Sequence, residues 1–125
     1  ALVSEQRDVK SMVFQAPAVF PDEWFDKPYK LSETIKRERL LYRMSKTALN
    51  NKAILAIQQY NNPLLIVGSE LDDTCPRNVV EGYYNESASK NKKLVWIKGA
   101  DHPLRNEKHN EEYTRMMVEW FKKTL

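Results

Sequence analysis

The segment Leu64-Leu65-Ile66-Val67-Gly68-Ser69-Glu70-Leu71-Asp72-Asp73-Thr74-Cys75-Pro76 decides the fold. It begins with a short apolar run without clean alternation, which is typical of a strand covered on both faces. A turn follows that starts at Gly68, carries two adjacent carboxylates and ends in a proline suited to a first helical turn. Strand, acidic turn and helix in this order predict one βα unit of a parallel sheet.

Two further apolar runs lie on either side of this segment. The first is Met12-Val13-Phe14, which we extend back to Val9, and the second is Leu94-Val95-Trp96-Ile97, which ends before Gly99. Both runs are short, contain β-branched or aromatic residues and end at polar or turn residues. They predict two more strands, so the sheet has about three.

Helical spacing of apolar residues separates and follows these runs. Helices are predicted over residues 49–60 and, after Pro76, over the stretch that contains Val79, Val80, Tyr83 and Tyr84. In the last segment one face is formed by Tyr113, Met116, Met117, Trp120 and Phe121. A stripe of this kind is typical of core packing rather than of a cofactor site.

The alternation of strands and helices predicts an α/β protein with three layers. A mostly parallel sheet of about three strands lies between flanking helices. Residues 22–48 are less regular: 22–29 have the character of a loop with exposed aromatic residues, and 31–44 that of a charged helix. The possible buried side of this helix consists of Ile35, Leu40, Leu41 and Met44.

Composition narrows the function classes. The 125 residues suffice for one domain, and the net charge of +3 is spread over interspersed charges of both signs. We therefore expect no nucleic-acid partner, since that needs clustered Lys and Arg. No apolar run approaches the ~20 residues of a membrane span, so no membrane partner is expected. The single cysteine and the lack of a signal peptide favour a cytoplasmic location.

The residues that could carry chemistry follow the second and third strands. Asp72 lies in the turn after one strand, and His102 lies in the turn Lys98-Gly99-Ala100-Asp101-His102-Pro103 after the next. The carboxyl ends of parallel strands meet at one edge of the sheet, where ligands bind in open α/β folds. A carboxylate there can orient an imidazole that takes a proton from a nucleophile.

Each feature alone also has an ordinary structural explanation. An Asp-Asp-Thr sequence is more often a turn or a helix cap than a catalytic element. His109 lies at a charged helix start, and its spacing from His102 fits no metal site. Cys75 lies beside the acidic turn, which favours a structural role. We expect no metal and no cofactor.

Together the two turns resemble those of the α/β-hydrolase superfamily, in particular its esterase-like and acyl-peptidase-like serine hydrolases. In that family the seventh strand is followed by a Gly…Asp-x-x-x-Pro turn and the eighth by a Gly-x-x-His turn. A long amphipathic helix closes the fold. The match covers residues 50–125 well, and residues 9–17 resemble the sixth strand with its following loop. Residues 22–48 then correspond to the cap or lid insertion.

The resemblance implies specific roles. Counted back from Pro76, Asp72 takes the position of the triad acid, and His102 takes that of the triad histidine. Asp73 would point away or cap the next helix. The implied activity is cleavage of an ester, thioester or amide in a small-molecule or peptide acyl substrate, through an acyl-enzyme.

One element of the family pattern is not found. The nucleophile of these enzymes lies in a Gly-x-Ser-x-Gly elbow, and no such pentapeptide occurs among the 125 residues. Ser4 has no flanking glycines and no preceding strand, so it is no substitute. We therefore expect residues 1–125 to be the C-terminal part of one hydrolase domain. The nucleophile-bearing N-terminal part is then absent, and the chain alone is inactive.

Two other function classes stay open at this point. The chain could be a non-catalytic α/β interaction module or a truncated pseudo-hydrolase, with Asp72 and His102 idle. A receiver-like or flavodoxin-like domain that uses the Asp pair for Mg²⁺ or phosphate is a weaker alternative, because no Gly-rich loop accompanies the pair. If the chain is part of a serine hydrolase or a truncated pseudo-hydrolase, the strand at Val9–Phe14 is an open sheet edge. We therefore expect a homo-oligomer or association with the missing N-terminal half.

Overall fold

The computed structural model describes residues 9–24 and 33–125, and three parallel strands form its sheet. They are β1 (Met12–Gln15), β2 (Leu64–Ser69) and β3 (Lys92–Ile97), in the spatial order β1-β2-β3. In the register, Met12 lies opposite Leu64, and Leu64 lies opposite Lys92. The predicted α/β fold with a three-stranded parallel sheet is confirmed. The β2 and β3 strands extend further than their apolar runs because the pairing continues into the flanking residues.

In the described part of the chain, four helices flank the sheet: α1 (Glu33–Met44), α2 (Lys52–Gln59), α3 (Arg77–Glu86) and α4 (Glu107–Thr124). All six residues of β2 are buried, so this strand is the centre of the domain. Its side chains alternate between two cores. Leu64 and Ile66 belong to the core formed with α2 and α3, whereas Leu65 and Val67 belong to the core formed with α4. This explains why the run lacks a polar face.

The predicted helical faces pack as expected. Val79 and Val80 of α3 are fully buried. Trp120 of α4 is buried, and the other members of its aromatic and Met stripe are partly buried. At the start of α2, the Asn51 side chain accepts a hydrogen bond from the Ile54 N–H at 3.2 Å, so a side-chain cap fixes the first turn.

The predicted buried side of α1 is wrong at three of its four positions, and the fourth, Ile35, is partly buried. Leu41 and Met44 are 62% and 67% exposed among the described residues, and Leu40 is also exposed. The buried residue is Arg43, which is 3% exposed. Its guanidinium donates to the carbonyl oxygens of Val19 and Thr74, at 3.2 and 2.7 Å. Polar anchoring to two loops, rather than an apolar stripe, therefore orients this helix.

Some sequence-based interpretations fall outside the described residues. Asp22–Trp24 form a short 3-10 turn. The rest of the aromatic loop, residues 25–29, lies outside the described residues, and so do Ser4 and the other residues before Val9. The assignment of 22–48 as a cap or lid stays a prediction. Within 9–24 and 33–125, no helix combines the length and apolar character that a membrane crossing requires.

Candidate active site

The acidic turn after β2 is built around the Asp72 side chain. One carboxylate oxygen, Oδ1, accepts hydrogen bonds from the backbone N–H groups of Thr74 and Cys75, at 2.8 and 2.7 Å. An aspartate is suited to this position because its short side chain can accept from amides two and three residues later. The Asp72 side chain is 3% exposed. The turn therefore holds a buried carboxylate in one orientation.

The histidine turn after β3 depends on a glycine. Gly99 has φ of 71°, a left-handed conformation that a side chain disfavours. Two hydrogen bonds join this turn to the acidic turn. The Gly99 N–H donates to Glu70 Oε2 at 2.7 Å, and the Leu71 N–H donates to the Ala100 carbonyl at 2.9 Å. The two turns are thus fixed relative to each other.

This arrangement brings His102 against Asp72. His102 Nδ1 lies 2.8 Å from Asp72 Oδ2, the carboxylate oxygen that the turn amides leave available. The His102 side chain is 32% exposed, so one side of the ring faces the buried acid and part of it reaches the surface. As the count back from Pro76 predicts, the contact is made by Asp72. The catalytic roles of both residues stay a prediction.

The neighbouring carboxylate has a different environment. Asp73 is exposed, and its Oδ1 accepts a hydrogen bond from the Thr74 hydroxyl at 3.1 Å. Among the described residues Asp73 makes no hydrogen bond to His102, whose ring bonds to Asp72. It does not cap the following helix, since the N-cap of α3 is Pro76, which makes no side-chain capping bond.

Two residues that sequence reasoning missed hold the site together. Gln15, at the carboxyl end of β1, donates through Nε2 to the backbone carbonyl of His102 at 2.8 Å. Arg43 ties α1 to the acidic turn through its bond to the Thr74 carbonyl. A polar residue at the end of an apolar strand is the only sequence signal that could have indicated Gln15. No local pattern distinguishes Arg43 from the other cations of its helix.

Cys75 lies beside the Asp72–His102 pair. The pKa of its thiol is raised to about 11: burial has the largest effect, the Arg43 charge lowers the pKa, and the Asp72 charge raises it. Asp72, Cys75 and His102 offer one donor atom each within 4.8 Å of one another, a set that could hold a metal ion. The Asp72–His102 hydrogen bond already engages Nδ1, and the raised thiol pKa disfavours the thiolate that a metal needs. The spacing argument that rejected a metal site considered only His102 and His109, so it did not address this cluster.

An open cavity of about 520 Å³ lies at the exposed side of His102. The loop after β1 contributes Ala18 and Phe20, and the acidic turn contributes residues 73–75. The remaining wall comes from α1, the helix that Arg43 anchors. His102 therefore borders a space that a small substrate group can enter.

Comparison with solved structures shows the fold family. An esterase of Pyrococcus furiosus matches with a TM-score of 0.64 and 18% identity, over 98% of this chain and 47% of that one. A protein of Mycobacterium tuberculosis described as a non-heme bromoperoxidase matches with a TM-score of 0.60 and 18% identity, over 99% of this chain and 62% of that one. The chain thus spans about half the length of the structures that it matches.

Comparisons of the sequence with curated proteins and with family models give different results. No curated protein sequence gives a significant match. The model of the prolyl oligopeptidase family matches residues 10–125, which is nearly the whole chain. The match includes all three strands and both turns that carry Asp72 and His102. Together with the fold, it shows that the chain belongs to the prolyl oligopeptidase family, within the α/β-hydrolase superfamily.

Proposed function

We propose that this chain supplies the histidine and the acid of a Ser-His-Asp triad. His102 acts as general base and then as general acid, and Asp72 orients it. The observation that carries the proposal is the 2.8 Å contact between His102 Nδ1 and Asp72 Oδ2 at the edge of an open cavity. The reaction is cleavage of an ester, thioester or amide through an acyl-enzyme.

The geometry suits this role in two respects. An acceptor at Nδ1 favours the tautomer that carries its proton there, so Nε2 on the opposite side of the ring is left basic. The two turn amides that hold Asp72 Oδ1 prevent the carboxylate from rotating away. When Nε2 takes a proton, the fixed carboxylate stabilises the resulting imidazolium.

A serine on a segment outside this sequence is the proposed nucleophile. The printed sequence has no Gly-x-Ser-x-Gly elbow, and Cys75 is poorly suited to replace it. Its thiol is buried with a pKa raised to about 11, so little thiolate exists at neutral pH. The chain is then one part of the catalytic machinery, and the 125 residues alone should give no acyl-enzyme burst on activated esters.

The substrate class follows from the same pair. A histidine–acid pair of this kind activates attack on an acyl carbon, so small acyl esters and acylated or unmodified peptides are the proposed substrates. The family name refers to peptidases, and the Pyrococcus furiosus relative is called an esterase. Both activities use the same triad chemistry, so both substrate types belong in the test.

Single substitutions in the full-length protein test the proposal. With 4-nitrophenyl butyrate and a peptide 4-nitroanilide as substrates, His102→Ala and Asp72→Asn should each lower kcat by about 10⁴-fold. His109→Ala is the matched histidine control and should keep the wild-type rate. Asp73→Asn should lose far less than Asp72→Asn, because the hydrogen bond to His102 comes from Asp72. Wild-type rates in both His102→Ala and Asp72→Asn would show that the pair is idle and that the chain is a non-catalytic module.

A further inference from the structure

The turn that carries His102 is fixed at its two ends. The Leu104 N–H donates to the Asp101 carbonyl at 3.2 Å, so His102 and Pro103 lie at the centre of a four-residue turn. The Leu104 side chain is buried in the core beside α4. The central peptide groups of such a turn take no part in its closing hydrogen bond. The backbone of His102 therefore needs a contact from another element to be held in place.

Gln15 makes that contact from the other side of the sheet. Strands β1 and β3 lie on opposite sides of β2, and the turn with His102 follows β3. Gln15 is the last residue of β1, and its Nε2 donates to the His102 carbonyl at 2.8 Å. No other hydrogen bond to this carbonyl is found within residues 9–24 and 33–125. One glutamine side chain thus joins β1 to the histidine backbone across the carboxyl end of β2.

Backbone strain lies close to both partners of this bond. In the part of the chain that the structure describes, the non-glycine residues with positive φ are Ala16, at 42°, and Leu104, at 53°. Ala16 directly follows Gln15, and Leu104 lies two residues after His102. Both are buried, with 3% and 6% of their surface exposed. Residues in this conformation persist only where the surrounding structure holds them, and they cluster at functional sites.

We propose that Gln15 is a positioning residue for the His102 imidazole. The inference rests on the proposed function, since it concerns the geometry of the same histidine. Because Gln15 binds the backbone carbonyl, it leaves the ring nitrogens to their own tasks: Nδ1 contacts Asp72, and Nε2 transfers the proton. A small displacement of a catalytic group from the reacting atoms lowers the rate strongly. Gln15 therefore acts on kcat through His102 and does not touch the substrate.

Two substitutions of Gln15 in the full-length protein test this role. Gln15→Met keeps the approximate length of the side chain and removes the donor. Gln15→Glu keeps the shape and places an acceptor against the carbonyl. With 4-nitrophenyl butyrate, both should lower kcat by about tenfold or more, because the His102 backbone loses its hydrogen bond. KM should stay near the wild-type value, since Gln15 is not among the described residues that line the cavity.

Asn62 supplies a matched control near the opposite end of β1. Its Nδ2 donates to the Val9 carbonyl, also at 2.8 Å, so it is likewise a side-chain amide that binds a backbone carbonyl. Asn62→Leu and Asn62→Asp repeat the two changes at the other end of the sheet and should keep the wild-type kcat. Wild-type kcat in both Gln15 variants would overturn the proposal. Equal losses in the Gln15 and Asn62 variants, or a rise of KM in parallel with the loss of kcat, would also overturn it.

Proton NMR of the imidazole separates this inference from the proposed function. A proton on Nδ1 that is shared with a carboxylate resonates at very low field, so it reports the Asp72–His102 hydrogen bond without turnover. His102→Ala identifies the resonance. We expect it in the wild-type protein and in Asn62→Leu, and we expect it to broaden or disappear in Gln15→Met. Spectra of the wild type and Gln15→Met that are indistinguishable in this region would overturn the proposal.

The two measurements together tell the two failures apart. If the ester is not hydrolysed by the wild-type protein, the proposed function fails, and the resonance still decides whether Gln15 positions the ring. If the ester is hydrolysed and Gln15→Met keeps both the wild-type kcat and the wild-type resonance, the positioning role fails and the hydrolase stands.

Discussion

At the scale of single residues, the Cys75 thiol reports on the environment of the candidate triad. It is 1% exposed, and burial raises its pKa to about 11. At pH 8 the native chain should therefore react with iodoacetamide about 100-fold more slowly than the unfolded chain, because less thiolate is present. Mass spectrometry of the Cys75 peptide measures both rates. Equal rates in native and unfolded chain would show that the thiol is neither buried nor shifted.

The raised pKa of Cys75 also makes the free energy of unfolding depend on pH in the alkaline range. Above the ordinary cysteine pKa the unfolded thiol loses its proton, whereas the folded thiol keeps it until about pH 11. The folded state then binds more protons, so the free energy of unfolding falls between about pH 9 and 11. In Cys75→Ala the free energy of unfolding should fall less between these two pH values. Urea unfolding of both chains at each pH measures the difference. Burial and the neighbouring Cys75 charge also raise the pKa of Tyr83, so Cys75→Ala removes part of the Tyr83 contribution as well, in the same direction.

Residue spacing predicted part of the site and missed the rest. The Asp72–His102 contact was predictable because each residue lies a few positions past one of two parallel strands, whose carboxyl ends meet at one edge of the sheet. Gln15 and Arg43 were not, because each contacts a backbone carbonyl that is distant in sequence. A carbonyl acceptor is common to every residue, so no pattern of side-chain types indicates such a contact.

At the scale of elements, the close packing of β2 on β3 gives a prediction. A side chain at Gly68 would place its Cβ 2.3 Å from the Trp96 ring, far inside van der Waals contact. That ring is also covered by the Arg77 guanidinium, 4.4 Å from a ring centre, so it has little freedom to move. Gly68→Ala should therefore lower the free energy of unfolding by about 1–3 kcal/mol.

A double-mutant cycle attributes this cost to the ring. In a Trp96→Ala background the obstruction is gone, so Gly68→Ala should cost much less there. Urea unfolding of the four chains supplies the values. An equal cost of Gly68→Ala in both backgrounds would place the origin in the backbone of β2 instead of in its packing against β3.

Element types were largely predictable, and the orientation of α1 was not. The β2 run and the stripe of α4 predicted their structures because an apolar pattern specifies the buried faces directly. In the described part of the chain, helix α1 has exposed apolar residues, and a buried arginine orients the helix. A periodicity argument assigns buried faces by hydrophobicity, so it must fail where polar anchoring decides.

At the scale of the whole molecule, β1 is the feature with consequences for assembly. In the described part of the chain it pairs with β2 on one side, where the Met12 and Ala16 N–H groups donate to β2-side carbonyls of Pro63 and Val67. Backbone groups alternate along a strand, so the Val13 and Gln15 N–H groups point to the other side. Edges of this kind are templates for a further strand unless charge, proline or a bulge protects them.

This edge has little such protection, and we expect the 125-residue chain to form a dimer through it. Residues Met12–Gln15 contain no charge and no proline, and each new backbone hydrogen bond contributes about 1 kcal/mol. In a longer protein another segment can occupy the same edge, whereas for the isolated chain the expected occupant is a second copy. Light scattering after size-exclusion chromatography at micromolar concentration measures the mass. Hydrogen exchange then measures whether the Val13 and Gln15 amides become protected when the dimer forms. The Phe14 amide, which points toward β2, is the control. A single species near 14.7 kDa, with Val13 and Gln15 amides in fast exchange, would show that the open edge is stable without a partner.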